Sequence, residues 1–398
     1  VDPHLSQWLN LVLRWVHIVT GIAWIGTSFY FNWLNARITP PAAPEPGVKG
    51  ELWSVHGGGF YRMVKYDVAP ERLPATLHWF KWEAYATWIS GIALLALIYY
   101  GGARTYLLDP AVSDVGAGVA IVLGIATLVA GWVVYDLLCK SPVTRTGGVL
   151  GLVGFALVTA VAFGLSQVLS ARAAYIHVGA LLGTLMAANV FFVIIPSQRE
   201  MVATLGEGRA PNAELGRQAA LRSLHNNYMT LPVLFVMVSN HYPATFGHRF
   251  NWAILAGLSL VGVAARLFFN LRNQGRRNAW LLPGAAFGIV ALALVTAPRS
   301  PTADAGGAGE IMASFQDVRV IVAQRCGPCH SSTPTWPAFP MAPLGVVLDT
   351  PEQIRTQAER IFAVTIASET MPLGNITGMT TEEREVLGTW IRAGARIR

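Results

Sequence analysis

The chain has 398 residues, 53% of them hydrophobic and only 13% charged, with 13 tryptophans and a formal charge of +7. Ordinary soluble domains carry about 25% charged residues, so a mean hydropathy of +0.44 excludes that class. Three cysteines are too few for a disulfide framework, and the basic residues lie between apolar runs, which argues for a membrane topology and against nucleic acid.

A span needs about 20 mostly apolar residues to cross a core of about 30 Å. Eight stretches approach that length: Trp8 to Leu34, Leu77 to Tyr100, Val115 to Leu138, Gly147 to Val168, Ala173 to Ile195, Leu221 to Asn240, Phe250 to Asn270 and Trp280 to Ala297. The first is too long and too rich in tryptophan for a cleavable leader and reads as a retained span. A long loop from Asn35 to Thr76 and an amphipathic connection from Pro196 to Ala220 separate some of them. The expected fold is all-α, a polytopic bundle of about eight transmembrane helices over residues 1–297, followed by a second domain.

Charge in the connections alternates. One set holds Arg37, Lys49, Arg62, Lys65, Arg72, Lys140, Arg145, Arg199, Arg209, Arg217, Arg272, Arg276 and Arg277, and the other only Arg104, Arg172 and Arg249. The positive-inside rule then puts both termini on the periplasmic face of a bacterial inner membrane.

After Ala297, residues 298–310 form a flexible Pro/Gly/Ala linker expected to tether the C-terminal domain. Within 311–398, an apolar pattern through Phe315, Val318, Ile321 and Val322 runs into Cys326-Gly327-Pro328-Cys329-His330. In a C-x-x-C-H motif the thiols can add to the vinyl groups of a haem while the histidine ligates the iron. A zinc site would need a second ligand pair, and the remaining cysteine, Cys139, lies in an apolar run. Thr380-Thr381-Glu382-Glu383 is a capping-box start for a terminal helix through Trp390. Terminal helices around such a motif look like a class I cytochrome c, with one covalent haem c. Met371, followed by Pro372, is the expected sixth ligand, with Met379 and Met341 as alternatives.

Ionisable residues at membrane depth mark function. By rise along each span, His17 and His177 fall at similar depth in the outer half, as a bis-imidazole haem b requires, so one or two b haems are expected. His78 and His225 fall near the inner edge. There His78, Lys81, Trp82 and Glu83 open the second span, with His78 and Lys81 on one helix face. His225, Asn226, Asn227, Tyr228, Met229 and Pro232 open the sixth. His56 precedes three glycines that let backbone N–H groups approach a ligand. Arg222, Arg266 and Asp136 lie at the same edge. Amides, aromatic rings, cations and a histidine are what binding and deprotonating a small planar anion would need.

The His17-containing span, Ser54-Val55-His56-Gly57-Gly58-Gly59-Phe60-Tyr61, Trp79-Phe80-Lys81-Trp82-Glu83, His225-Asn226-Asn227-Tyr228-Met229-Thr230-Leu231-Pro232 and Cys326 to His330 resemble the bacterial membrane-bound urate hydroxylase (urate oxidase) family with a C-terminal cytochrome c domain. The resemblance covers essentially the whole chain. It implies oxidation of urate to 5-hydroxyisourate in purine breakdown without hydrogen peroxide, electrons passing by an internal haem to cytochrome c and on to a downstream cytochrome or terminal oxidase. The catalytic candidates are then His225, Asn226, His56, His78 and Glu83, and the substrate-binding candidates Asn227, Tyr228, Lys81, Trp82 and Arg222. Membrane lipid is the other expected partner, and an oligomer is compatible with the sequence. Two other readings remain open at this point: a cytochrome-b-like quinol or other dehydrogenase module, and a non-enzymatic electron-transfer or transporter-like subunit.

Overall fold

Long apolar runs with few breakers become long helices. In a computed structural model, described over residues 3–43, 45–142, 147–297 and 313–397, they are α1 (Pro3–Arg37), α2 (Trp82–Tyr100), α3 (Ala117–Lys140), α4 (Gly147–Ser166), α5 (Ala171–Gly206), α6 (Ala213–Ser239), α7 (Asn251–Asn273) and α8 (Leu281–Val295). Six of them, α1 to α5 and α7, are long and apolar enough to cross a membrane. The α8 helix is apolar but only 15 residues long, about 22 Å at about 1.5 Å per residue. The α6 helix carries the polar residues. Outward-facing side chains such as Trp15, Leu152 and Leu294 are well exposed, a surface suited to lipid tails.

The centre of the bundle is α5, whose Tyr175, Val178, Leu181 and Leu185 form the main core with residues of α2, α3 and α6. Small residues permit this close packing. A Cβ at Gly131 would run into Leu181, and one at Gly179 would run into Val236.

Four segments differ from the sequence expectation. The α2 helix starts at Trp82, after an irregular stretch in which the Lys81 N–H donates to the Trp79 carbonyl at 2.9 Å. His78 and Lys81 therefore precede the helix and share no helical face. Edge-to-face packing of His78 and Phe31 against Phe80, at 4.5 and 4.9 Å between ring centres, holds this stretch folded. The α5 helix runs through Pro196, because the wide turn Asn189–Ile194 before it places the proline at the start of a fresh helical segment, where no N–H is needed. Asn212 caps α6, accepting from the Glu214 N–H at 2.9 Å, so the connection shrinks to residues 207–212 and His225 lies inside α6, not at its opening. Finally, the long loop contains a hairpin, β1 (Val48–His56) and β2 (Gly59–Tyr66), antiparallel with His56 opposite Gly59. Gly57 and Gly58, at φ +57° and +80°, supply its turn. Those glycines serve a hairpin tip.

Residues 313–397 form a second helical unit: α9 (Phe315–Ile321) continuing into Val322–Cys326, α10 (Pro351–Thr356), α11 (Ala358–Ile361) continuing into Phe362–Ala367, and α12 (Thr381–Arg392). Val318, Val322, Ile354, Leu387 and Trp390 fill its core. The capping box at Thr380 and Glu383 is formed. The same Glu383 carboxylate accepts from Arg325 Nε and Nη2 at 2.9 Å. Partial burial pushes the Glu383 carboxyl up, but the bonds from Arg325 and the Thr380 N–H outweigh it and hold the group below its ordinary range. A depressed carboxyl stabilises the fold above its unfolded value and loses that contribution as pH falls through the folded value. The C-terminal unit should therefore weaken as pH drops below the ordinary value of 4.5. Thermal melts against pH should show this acid limb flattened in Glu383→Gln.

The linker 298–310 and the start of the expected helix at Ile311 lie outside the described residues. The C-terminal unit nonetheless rests on the bundle. One bundle end is marked by the Ser170 N–H on the Leu107 carbonyl (2.9 Å) and the Tyr175 hydroxyl on the Asn251 carbonyl (2.7 Å). At that end a Cβ on Gly247 would meet the Ser368 carbonyl oxygen at 2.6 Å, and one on Gly374, at φ +57°, would meet that of Leu108 at 2.7 Å. Tyr106 faces Phe339 at 6.5 Å between ring centres. Such an interface holds the unit more closely than a tether would. Gly247→Val should overpack it by about 1–3 kcal/mol, seen as faster limited proteolysis of the C-terminal unit with the bundle unaffected.

Candidate functional site

At 100° per residue, consecutive positions on α6 point to different neighbours, and α6 accordingly separates two buried polar clusters. The first lies toward α3 and α5. Arg222 Nη2 donates to Asp136 Oδ1 at 2.6 Å, and Nη1 donates to Asn189 Oδ1 at 3.2 Å. The Asn189 Nδ2 group donates to Asn226 Oδ1 at 2.8 Å and to the Tyr135 hydroxyl oxygen at 3.0 Å, and Asn226 Nδ2 donates to the Met186 carbonyl at 2.9 Å. The Tyr135 hydroxyl and His225 Nδ1 share a hydrogen bond of 2.8 Å, whose direction follows the histidine tautomer. The Arg222 guanidinium also lies 5.0 Å from the centre of the Tyr135 ring.

The second cluster lies toward α7 and α1. Asn227, fully buried, accepts at Oδ1 from Arg266 Nε and from Asn270 Nδ2, both at 2.9 Å. The Arg266 guanidinium sits 3.8 Å from the centre of the Phe29 ring. Among the described residues, three atoms here have no hydrogen-bond partner: Asn227 Nδ2, Arg266 Nη2 and Asn270 Oδ1.

Both clusters fall within residues 3–297, which match the family model described as Urate oxidase N-terminal. The chain belongs to this family. No match was found among curated proteins or among solved structures. The matched segment contains all eight bundle helices and ends before the C-terminal unit.

In this member of the urate oxidase N-terminal family the structure gathers Arg222, His225 and Asn226 on one side of α6 and Asn227 on the other, with Tyr228 half-buried between turns. The other sequence candidates lie apart from these networks. His56 is exposed at the hairpin tip. His78 lines an open cleft of ≈ 290 Å³ with Trp79, Gln198, Met201 and Leu205. Lys81 lies 5.7 Å from the ring of the exposed Trp82. Glu83, in the first turn of α2, keeps a buried carboxylate oxygen with no hydrogen-bond partner. Asn189, Tyr135 and Asn270 were not singled out by sequence reasoning. For Asn189 a signal existed, a lone amide inside Met186-Ala187-Ala188-Asn189-Val190-Phe191, whereas Asn270 was hidden by its position at the expected end of a span.

His17 and His177 address different levels of α2. His17 Nδ1 donates to the Thr87 carbonyl at 2.9 Å and its ring lies against Gly91. His177 Nδ1 donates to the Ala173 carbonyl at 2.8 Å, while Nε2 accepts from the Tyr100 hydroxyl at 3.2 Å. Gly91 and Tyr100 are nine residues apart, about 13 Å along the helix.

The C-terminal motif forms a tight turn, the Cys329 and His330 N–H groups both donating to the Cys326 carbonyl at 3.1 and 2.8 Å. His330 Nδ1 donates to the Val346 carbonyl at 3.0 Å, which orients the ring and leaves Nε2 as the free lone pair, the arrangement an iron-ligating histidine uses. Cys326 is half-buried as a residue with its sulfur turned toward the core, and burial pushes its thiol up to about 12, with the Cys329 thiol also raised. Redox-active C-x-x-C pairs have lowered thiol values, and these two thiols lie on the other side of the ordinary value. The residues thus fit a haem held through Cys326 and Cys329. Met371 is half-buried, its carbonyl accepting from Arg384 at 2.9 Å, whereas Met379 is packed in the unit's core and Met341 is exposed. Among the described residues no group of three His, Cys, Asp or Glu side chains is placed to hold a metal ion.

Proposed function

We propose that the chain oxidises urate to 5-hydroxyisourate in purine breakdown, with water supplying the hydroxyl oxygen and the electrons leaving toward a c-type haem on the C-terminal unit. The observation that carries this reading is the family match across residues 3–297, which takes in the buried polar clusters. The balance is urate monoanion plus water giving 5-hydroxyisourate, one proton and two electrons. Oxygen is not consumed and no hydrogen peroxide forms.

The chain's own residues bind and handle protons. Tyr135 and His225 form a relay in which a proton accepted by the tyrosine oxygen moves the phenolic proton onto His225 Nδ1. Asn189 and Asn226 hold that pair in register, and the Arg222–Asp136 ion pair fixes Asn189. A haem held by Cys326, Cys329, His330 and Met371 would supply one-electron acceptance. The alternating loop charges support a bacterial inner membrane with the C-terminal unit periplasmic, where a soluble cytochrome or terminal oxidase could take the electrons.

Turnover of urate by the full chain in detergent, under argon with an artificial electron acceptor, should continue at an undiminished rate. Turnover that stops without oxygen overturns the reading. His225→Phe should slow urate-driven reduction of the C-terminal unit by about 10²–10⁴-fold, the usual range for loss of a general base. Its haem absorption and melting behaviour should stay unchanged.

A further inference from the structure

Arg266 is only 5% exposed, and among the described residues no carboxylate forms an ion pair with it. A guanidinium cannot shed its proton, so its charge persists in the protein interior, where an uncompensated charge is strongly disfavoured. Arg222, one cluster away, shows the alternative: Asp136 neutralises it, and the amides around it are all engaged.

The two amides beside Arg266 are oriented without ambiguity. Asn227 Oδ1 takes two donors, so its Nδ2 must point elsewhere, and it has no partner. Asn270 uses its Nδ2 on Asn227, so its free atom is the acceptor Oδ1. The unpaired atoms of this cluster are therefore one charged donor, one neutral donor and one acceptor, and the Phe29 ring lies under the guanidinium. A small inorganic anion would use the donors and leave Asn270 Oδ1 unsatisfied. A planar anionic heterocycle with a carbonyl next to a ring N–H matches all three.

We infer that Arg266, Asn227 and Asn270 form the recognition edge for the substrate anion. Arg222, the cation expected from the sequence to bind it, holds the proton relay in place instead. The identity of the ligand as urate rests on the function proposed above; its negative charge and mixed donor-acceptor edge rest on these three residues. Urate monoanion presents its carbonyl to Asn227 Nδ2 and Arg266 Nη2 and its adjacent N–H to Asn270 Oδ1.

Equilibrium dialysis of urate against the full chain, under argon with no electron acceptor, tests this directly. Arg266→Met should weaken urate binding by about 100-fold and Asn270→Leu by about tenfold, the range for lost charged and neutral hydrogen bonds. In the same Arg266→Met protein the melting temperature without ligand should rise, because a buried charge without a partner has been removed. Equal urate affinity in Arg266→Met and the unaltered chain overturns the inference. So does a fall in melting temperature with binding retained, which would make Arg266 a packing residue. A thermal shift with formate, the smallest carboxylate, separates the two proposals. If urate fails to bind but formate stabilises the unaltered chain and not Arg266→Met, the anion site stands and the urate reading falls. If neither anion gives an Arg266-dependent response, the site itself is refuted.

Discussion

Cys326→Ala should leave the bundle assembled in the membrane while urate-driven electron delivery to external acceptors falls to background. The physical reason is that the two parts have separate cores, one centred on α5 and one on Val318, Leu387 and Trp390. Loss of one sulfur in the second cannot unfold the first. A haem bound through Cys329 alone would retain one thioether, so the companion variant His330→Ala is informative. The ring of His330 is already oriented by the Val346 carbonyl, and its removal should shift the absorption spectrum to that of a high-spin iron without releasing covalently bound haem. Denaturing gels stained for haem peroxidase activity distinguish the two variants. A stained band of full intensity in the Cys326→Ala/Cys329→Ala double variant would sink the attachment site.

Asp136→Leu should have the largest effect on stability. It leaves Arg222, with a side chain only 6% exposed, as a buried charge without a partner, a change that costs about 3–5 kcal/mol in proteins whose total stability is about 5–15 kcal/mol. Accumulation of folded protein in membranes should drop sharply. Lys140 also reaches Asp136, at 2.6 Å, but it is mostly exposed, and Lys140→Ala should change stability by less than about 1 kcal/mol. Asp136→Leu with Arg222→Met should restore folding, since replacing both members of a buried pair by apolar groups is often near neutral. Urate turnover in that double variant then reports on the relay: if it remains at the original level, Asn189 needs no help from Arg222 and the pair is purely structural. The opposite stability responses expected for Asp136→Leu and Arg266→Met come from one rule applied to two arginines, one compensated and one not.

Much of the architecture was legible in the sequence because its causes are local. Apolar runs of helical length and the Thr380 to Glu383 capping box each depend on neighbours within a few positions. Run boundaries were less legible. A proline inside α5 looked like an end, yet the wide turn before it removes the need for its N–H, and the aromatic packing of Phe31 and His78 on Phe80 delays the start of α2.

The sequence by itself determined which residue types could do chemistry, where the helices lie along the chain and that a C-x-x-C-H turn comes after them. Only the tertiary structure decided which charges are cancelled. Asp136 and Arg222 are 86 positions apart, and Asn227 and Arg266 are 39 apart, so their pairing depends on how each helix is rotated about its axis against its neighbours. A 100° step between Asn226 and Asn227 sends one into a satisfied network and the other toward an unbalanced guanidinium. Helical periodicity arises from bonds within one turn, whereas charge compensation in a bundle arises from which faces meet, and no single run of sequence contains that information.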